Sequence, residues 1–433
     1  MIAPGTLVAI ALALLAPAQP PLTLEQLEAI ALANNPTLRQ ASAAIEASRG
    51  RARQAGAFPN PVAGYTGEEI SPGPVIRGGE HGFFVEQDIP LGGKLGRSRE
   101  VFEQEVLEAE ALAELQRRRI LTTVRVLFYQ TLVAERRVSV NERLAELASE
   151  AVTVTAQLVN VGAADRPDAL ESEVEALRAG LDLESARNRR FASWRQLAAA
   201  VGDPSLQPQP LAESIETAIP ELERDAALRD LLERSPELAA ARAGIERSRA
   251  IVSRAEREKY PDLFLRGGLA YNRELLEVTA GEPAPVGWEG ALEAGISIPL
   301  FDRNQGGIAA GVAEQSRAEA EVRRIELVLE SRFSEEFGRY LSALRSSETY
   351  QAEILPRAEE AHRLYLARYR EMAASYPQVL IAQRSLFQLS EDYLEALDDA
   401  WRAALTVQGL LASDGLAPPA TGGDMDGNLP STR

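Results

Sequence analysis

The sequence predicts an α+β membrane protein in which two copies of a long α-helical hairpin are each interrupted by one β-hairpin of membrane-spanning length. Three observations lead there. First, short motifs recur in order: Asn34-Asn35-Pro36-Thr37-Leu38, Phe58-Pro59-Asn60-Pro61 and Asp88-Ile89-Pro90-Leu91-Gly92-Gly93 are answered by Arg234-Ser235-Pro236-Glu237-Leu238, Tyr260-Pro261-Asp262-Leu263 and Ser297-Ile298-Pro299-Leu300-Phe301-Asp302, at offsets of 200, 202 and 209 residues. Preserved order with small insertions is the mark of duplication. Second, breaker-poor runs rich in Ala, Leu, Glu and Arg flank glycine-containing segments of period two. Third, beyond residues 1–18 no apolar stretch approaches the ~20 residues of a spanning helix, so a chain of this kind crosses a membrane only as a closed sheet.

Residues 1–18 are apolar and end in Ala16-Pro17-Ala18, an Ala-x-Ala-like cleavage site, so an export signal is expected there. The first Lys or Arg is Arg39, so the usual positive leader is missing. The first repeat covers 22–201. It opens with a helix over Thr23 to Ala57, and strands follow at about 62–70 and 81–90. A helix from Leu95 to Asn160 contains no Pro, and about 64 residues at ~1.5 Å each would extend roughly 95 Å. Its stripe Ile120, Val124, Phe128, Leu132 must meet other helices, because a solitary helix has no core.

A sharp reversal at Gly162 to Asp168 leads into a return helix, about Asp168 to Val201. Asp165 is a good N-cap, Asp168 approximates the capping-box partner, and Pro167 lies in the first turn, where a missing amide donor costs little. The Pro- and Gly-rich stretch 202–220 is the connector.

The second repeat, 221–411, follows the same plan. A helix is expected over Glu221 to Lys259, with strands at about 263–273 and 288–298. A long run from Ile308 to Ala374 bears the stripe Leu329, Phe333, Phe337, Leu341. A second reversal at Met372 to Gln378 has Ser375 as its N-cap, 210 residues after Asp165, and a return helix runs from about Gln378 to Leu411. The tail 412–433 has little to bury and is expected to be disordered.

The strands carry the membrane reading. Trp288, Leu292, Ala294, Ile296 and Ile298 alternate with Glu289, Glu293 and Ser297; Leu263, Leu265, Leu269 and Tyr271 alternate with Arg266 and Asn272; Phe83, Val85 and Ile89 oppose Glu86 and Asp88. Phe83, Val85, Leu269, Tyr271, Trp288, Leu292 and Ile296 are the lipid-facing candidates. A soluble half-buried hairpin shows the same alternation, so pattern alone leaves both readings open. Four strands cannot enclose a pore, and open edges are not tolerated in lipid. In a membrane, several copies must share one barrel, and three would give twelve strands.

The order of elements resembles the TolC-like outer membrane efflux family, and more narrowly its CzcC- and CusC-type members from heavy-metal efflux systems. The likeness rests on Ala31-Leu32-Ala33-Asn34-Asn35-Pro36-Thr37-Leu38, on Phe58-Pro59-Asn60-Pro61, and most of all on Val85 to Lys94 followed by Gly96 and Arg97. It implies a homotrimer of a Gram-negative outer membrane, with a 12-stranded barrel in lipid continuing into a long periplasmic α-barrel. Its implied partners are a periplasmic adaptor and an inner-membrane pump of the RND type, reached directly or through the adaptor. By the same resemblance Gly162, Asp165, Asp168, Met372, Ser375 and Gln378 mark periplasmic tip turns that gate the tunnel and contact the adaptor, with Asp165 and Asp168 as candidates for an acidic ring. The family often has Gly and Asp where this chain has Met372 and Gln378.

The implied function is a passive exit duct, for metal cations or, alternatively, for drugs or other small molecules. A soluble periplasmic coiled-coil adaptor or scaffold is a further alternative. A net charge of −18 without a basic patch argues against nucleic acid. With no Cys and only His81 and His362, a relay of soft metal ligands is absent. Gly92-Gly93-Lys94 lacks the spacing of a phosphate loop. Glu mixed with Arg reads as solvated helix face, so no enzyme, cofactor or resident metal is expected.

Overall fold

The computed structural model describes residues 21–70, 79–215, 218–276 and 284–420. The expected signal segment 1–18 and the end of the tail lie outside these. The chain divides into two units. One comprises Pro36–Arg119, Leu222–Glu336 and Val407–Arg433; the other comprises Met1–Asn35, Ile120–Glu221 and Phe337–Thr406.

The first unit holds the strands. Helix α2 (Pro36–Ala55) leads to β1 (Val62–Glu68) and β2 (Glu80–Ile89). In the second repeat α5 (Arg224–Arg234) and α6 (Pro236–Arg257) lead to β3 (Leu263–Leu276) and β4 (Ala284–Ile296). The four strands form one antiparallel sheet in the order β1-β2-β3-β4, so β2 and β3 join the two repeats edge to edge. Two separate hairpins would have left four edges; one sheet leaves two.

The second unit contains α1 (Leu24–Asn34), closed at its start by a capping box between Thr23 and Gln26. It also holds the C-terminal part of α3 (Lys94–Asn160) and all of α4 (Arg166–Val201). From the second repeat come the end of α7 (Gln305–Thr349), α8 (Leu355–Arg370) and nearly all of α9 (Tyr376–Gln408). Gly202 ends α4 at φ 81°, and a Cβ there would stand 3.0 Å from the Asn34 carbonyl carbon. The connector is anchored by a parallel bridge between Leu22 and Leu211.

Four expectations are corrected. The helices expected over Thr23 to Ala57 and Glu221 to Lys259 are each split before a proline, at Asn35 (φ −64°, ψ 123°) and Ser235 (φ −64°, ψ 122°). Proline disfavours helical geometry in the residue before it, so the recurring motif encodes a break. The run expected from Ile308 to Ala374 is interrupted by a π-turn, Tyr350–Ile354, ahead of Pro356, where the Leu355 N–H reaches back five residues to the Tyr350 carbonyl. Proline removes one donor and crowds the carbonyl four residues back, and the wider turn makes room.

The stripe Leu329, Phe333, Phe337 is buried, but Leu341 is 51% exposed and Tyr340 is buried in its place. Steps of four residues drift about 40° each around a helix of 3.6 per turn, so the fourth member leaves the face. In α3 all four stripe residues are buried together with Tyr129 and Val133, which widens that face. Finally, the start of the tail is held. Gln116, 1% exposed, donates through Nε2 to Thr37 Oγ1 and to the carbonyls of Gly415 and Ala417, and Thr37 donates to Gly415. Backbone carbonyls do this work, which apolar content does not foresee.

Candidate functional site

The sheet sorts its side chains by face. Residues directly opposed in an antiparallel ladder share a face. The register aligns Tyr65, Phe83, Leu269 and Gly290 in one row, His81, Tyr271 and Trp288 in the next, and Val85, Gly267 and Leu292 on the other side. Alternate rows hold Glu68 with Glu80 and Asn272, and Glu86 with Arg266 and Glu293. One face is therefore apolar and aromatic while the other carries Glu68, Glu80, Glu86, Asp88, Glu289 and Glu293 with Arg266. Of the seven lipid-facing candidates, Phe83, Val85, Leu269, Trp288, Leu292 and Ile296 are exposed. Tyr271 is half-buried against Trp288, ring centroids 5.5 Å apart. Tyr65 of β1 belongs to the same face: it is exposed, hydrogen-bonds His81 Nδ1 and meets Phe83 edge-on. Among the described residues β1 and β4 have no partner on their outer edges.

The reversals form a second arrangement, in the other unit. Each helix ends in the same pair of bonds. Ala163 N donates to Leu158 O at 2.8 Å and Gly162 N to Val159 O at 3.0 Å; Ala373 N donates to Arg368 O at 2.8 Å and Met372 N to Tyr369 O at 3.0 Å. This six-to-one closure needs a left-handed residue just past the helix. Gly162 supplies it at φ 74° and Met372 at φ 59°. Loss of the glycine therefore leaves the turn geometry intact and adds strain to it.

The caps differ from the expected boxes. Asp165 sits at the N-cap of α4 with extended backbone but makes no side-chain cap bond. In the second turn only the return half is made, with Ser375 N donating to Gln378 Oε1 at 3.4 Å. Asp165 is exposed and Asp168 half-buried, so the Asp165 carboxylate stands in solvent rather than saturating its helix. The two reversals share a core of Val154, Leu158, Leu366, Tyr369, Tyr376, Val379 and Leu380, against which Ala164 and Ala374 pack.

Beneath them an ion-pair network joins α4 to α9. Arg384 Nη2 meets Glu175 Oε1 at 2.5 Å and Glu171 at 3.7 Å, while Arg178 reaches Glu175 at 3.3 Å. The Glu175 side chain is 7% exposed, an exception to the solvated-face reading of the Glu/Arg pattern. Burial, reinforced by Glu171 and Glu175, pushes the Tyr376 phenol far up, so it stays neutral. Burial holds the His362 imidazole below its ordinary value. Sequence reasoning missed Tyr369, Tyr376 and Glu175. The available signal was that Tyr376 stands where the first copy has Arg166. Among the described residues no cluster of three or more His, Asp or Glu is arranged to hold a metal ion.

A family model described as "Outer membrane efflux protein" matches residues 29–203 and 227–413. The cobalt-zinc-cadmium resistance protein CzcC of Cupriavidus metallidurans is 27% identical over 393 residues, covering 90% of each chain. Among solved structures, CusC superposes with a TM-score of 0.75 at 17% identity, covering 90% of this chain and 92% of that one. A membrane protein from Pseudomonas aeruginosa gives 0.73 at 20% identity, covering 90% and 93%. The open outer membrane channel MtrE of Neisseria gonorrhoeae gives 0.66 at 20% identity, covering 91% and 90%.

Proposed function

The chain belongs to the outer membrane efflux protein family, and from that premise we propose that it is the outer-membrane channel of a tripartite efflux system, a passive exit duct for metal cations. The observation that carries this is the two-faced sheet with two open edges. In a homotrimer, β4 of each copy pairs with β1 of the next, the apolar face meets lipid and the carboxylate face lines water. Six carboxylates against Arg266 per copy make that lumen attractive to cations. The name of the Cupriavidus relative, a cobalt-zinc-cadmium resistance protein, supports the same substrate class. An inner-membrane pump, acting with a periplasmic adaptor, selects the cargo, and the duct supplies the path.

The reversals form the periplasmic tip in this reading. Gly162, Asp165, Asp168, Met372, Ser375 and Gln378 surround the aperture and meet the adaptor, and three copies of the exposed Asp165 and the half-buried Asp168 make an acidic ring. The test is single-channel recording from trimers in planar bilayers under a salt gradient. Asp165→Lys with Asp168→Lys should move the reversal potential toward anions; an unchanged potential and conductance would remove both residues from the aperture.

A further inference from the structure

At the helical end of the sheet, the segments that flank β3 and β4 carry three cations and two exposed aromatic rings, Tyr260 and Phe301. The β3 and β4 ends pair at Leu263 and Ile296, and the ladder continues as Ser297 N donates to the Asp262 carbonyl at 3.0 Å. Asn304 Nδ2 donates to the Ala255 carbonyl at 3.0 Å, drawing the segment before α7 onto the end of α6. The same segment carries Arg303 and the exposed Phe301, at the end of the sheet that also carries Arg257, Lys259 and Tyr260. Arg257 and Lys259 lie 5.6 and 5.8 Å from the centre of the Tyr260 ring.

Three of the carboxylates of this corner have local partners. Lys94 holds Asp262 at 2.8 Å and Glu258 at 3.5 Å, and Asp302 accepts from the Asn304 N–H at 2.9 Å. Glu256 remains against Arg254, Arg257, Lys259 and Arg303, and among the described residues none of those four pairs with a carboxylate. Counting Glu256, Asp302 and the one negative charge that Lys94 leaves on Asp262 and Glu258 against these four cations, the corner keeps a net positive charge of one.

Its depth follows from the strands. From the row of Tyr271 and Trp288 to that of Leu263 and Ile296 is eight residues, about 26 Å along the strands, or about 20 Å across the membrane at a tilt of ~40°. With the Tyr271–Trp288 row as the outer aromatic girdle, the edge of a ~25 Å apolar band falls just beyond Leu263 and Ile296, at about the level of Tyr260. Aromatic rings with long cations at that level fit the headgroup boundary.

We propose that this corner binds the phosphate of an anionic phospholipid headgroup in the inner leaflet of the outer membrane. Arg257, Lys259 and Arg303 supply the charge while Tyr260 and Phe301 sit among the upper acyl carbons. The proposal rests on the membrane reading above and adds a lipid preference to it. Helices leave the sheet at this end, so the leaflet concerned is the periplasmic one.

The test is electron paramagnetic resonance with spin-labelled lipids, on full-length protein in phosphatidylcholine vesicles doped with labelled phosphatidylglycerol or labelled phosphatidylcholine. Wild type should immobilise the phosphatidylglycerol label preferentially, by about threefold or more. The triple variant Arg257→Gln, Lys259→Gln, Arg303→Gln should lose that preference and still float with vesicles, and Arg303→Gln alone should reduce it. Lys259→Arg should keep it. Equal immobilisation of both labels by wild type, or full preference in Arg303→Gln and in a floating triple variant, would overturn the proposal. Failure of wild type to float with any vesicle would instead defeat the membrane reading.

Discussion

Replacing Met372 by glycine should stabilise the protein, although it removes a large side chain. Met372 holds φ 59° in the same closure for which Gly162 uses φ 74°. A left-handed L-residue costs roughly 1–2 kcal/mol, and glycine returns roughly 0.5–1 kcal/mol of that through its greater freedom when unfolded. The Met372 side chain is 63% exposed, so little packing is lost. The net is a gain of about 0.5–1 kcal/mol per chain. Met372→Ala keeps the strained backbone and should be close to neutral. Gly162→Ala is the mirror experiment: a Cβ there meets nothing within 4 Å, so its loss of about 1 kcal/mol is purely conformational. Thermal unfolding of purified protein, followed by circular dichroism, reads all three. A lower midpoint for Met372→Gly, with Met372→Ala lowered equally, would show that the side chain contributes packing and would refute the strain argument.

Two other substitutions probe the second unit's buried histidine and the first unit's tail. Gln116→Leu removes the donor to Thr37, Gly415 and Ala417 and should cost about 1–3 kcal/mol by stranding buried acceptors; protease cleavage near Ser413 should accelerate, and an unchanged rate would mean the tail is held by something else. His362 is kept neutral by burial, so its folded value lies below the ordinary 6.5. As pH falls through 6.5 the unfolded chain takes a proton that the fold refuses, and stability declines. His362→Leu should melt with a shallower acid slope over that window, and an identical slope in wild type would contradict the assignment.

The fold was legible wherever one residue type dictates one geometry. Period two located the strands because a sheet face is either buried in apolar surroundings or wet. Gly162 and the Asp165-to-Ser375 correspondence located the reversals because few residues end or begin helices well. What escaped depends on partners distant in sequence. The β2–β3 pairing joins strands from different repeats, and nothing local in Phe83 or Leu269 announces the other. The Glu175–Arg384 pair spans 209 residues, and each member alone looks like ordinary helix surface. The breaks at Asn35 and Ser235 are legible in the sequence, because each stands before a proline, Pro36 and Pro236, that disfavours helix in the residue ahead of it.

The central claim is that the open edges β1 and β4 close on neighbouring copies. The chain has no Cys, so introduced thiols report without background. Tyr65→Cys on β1 combined in turn with Gly290→Cys, Leu292→Cys and Ala294→Cys on β4, all on the apolar face, covers the registers a tilted barrel allows, since disulfides need Cβ atoms about 3.5–4.5 Å apart. Oxidation in outer membranes should give a covalent trimer, strongest for one partner position and weak at its neighbours. Monomer at every position, or a ladder extending beyond trimer, would contradict the account.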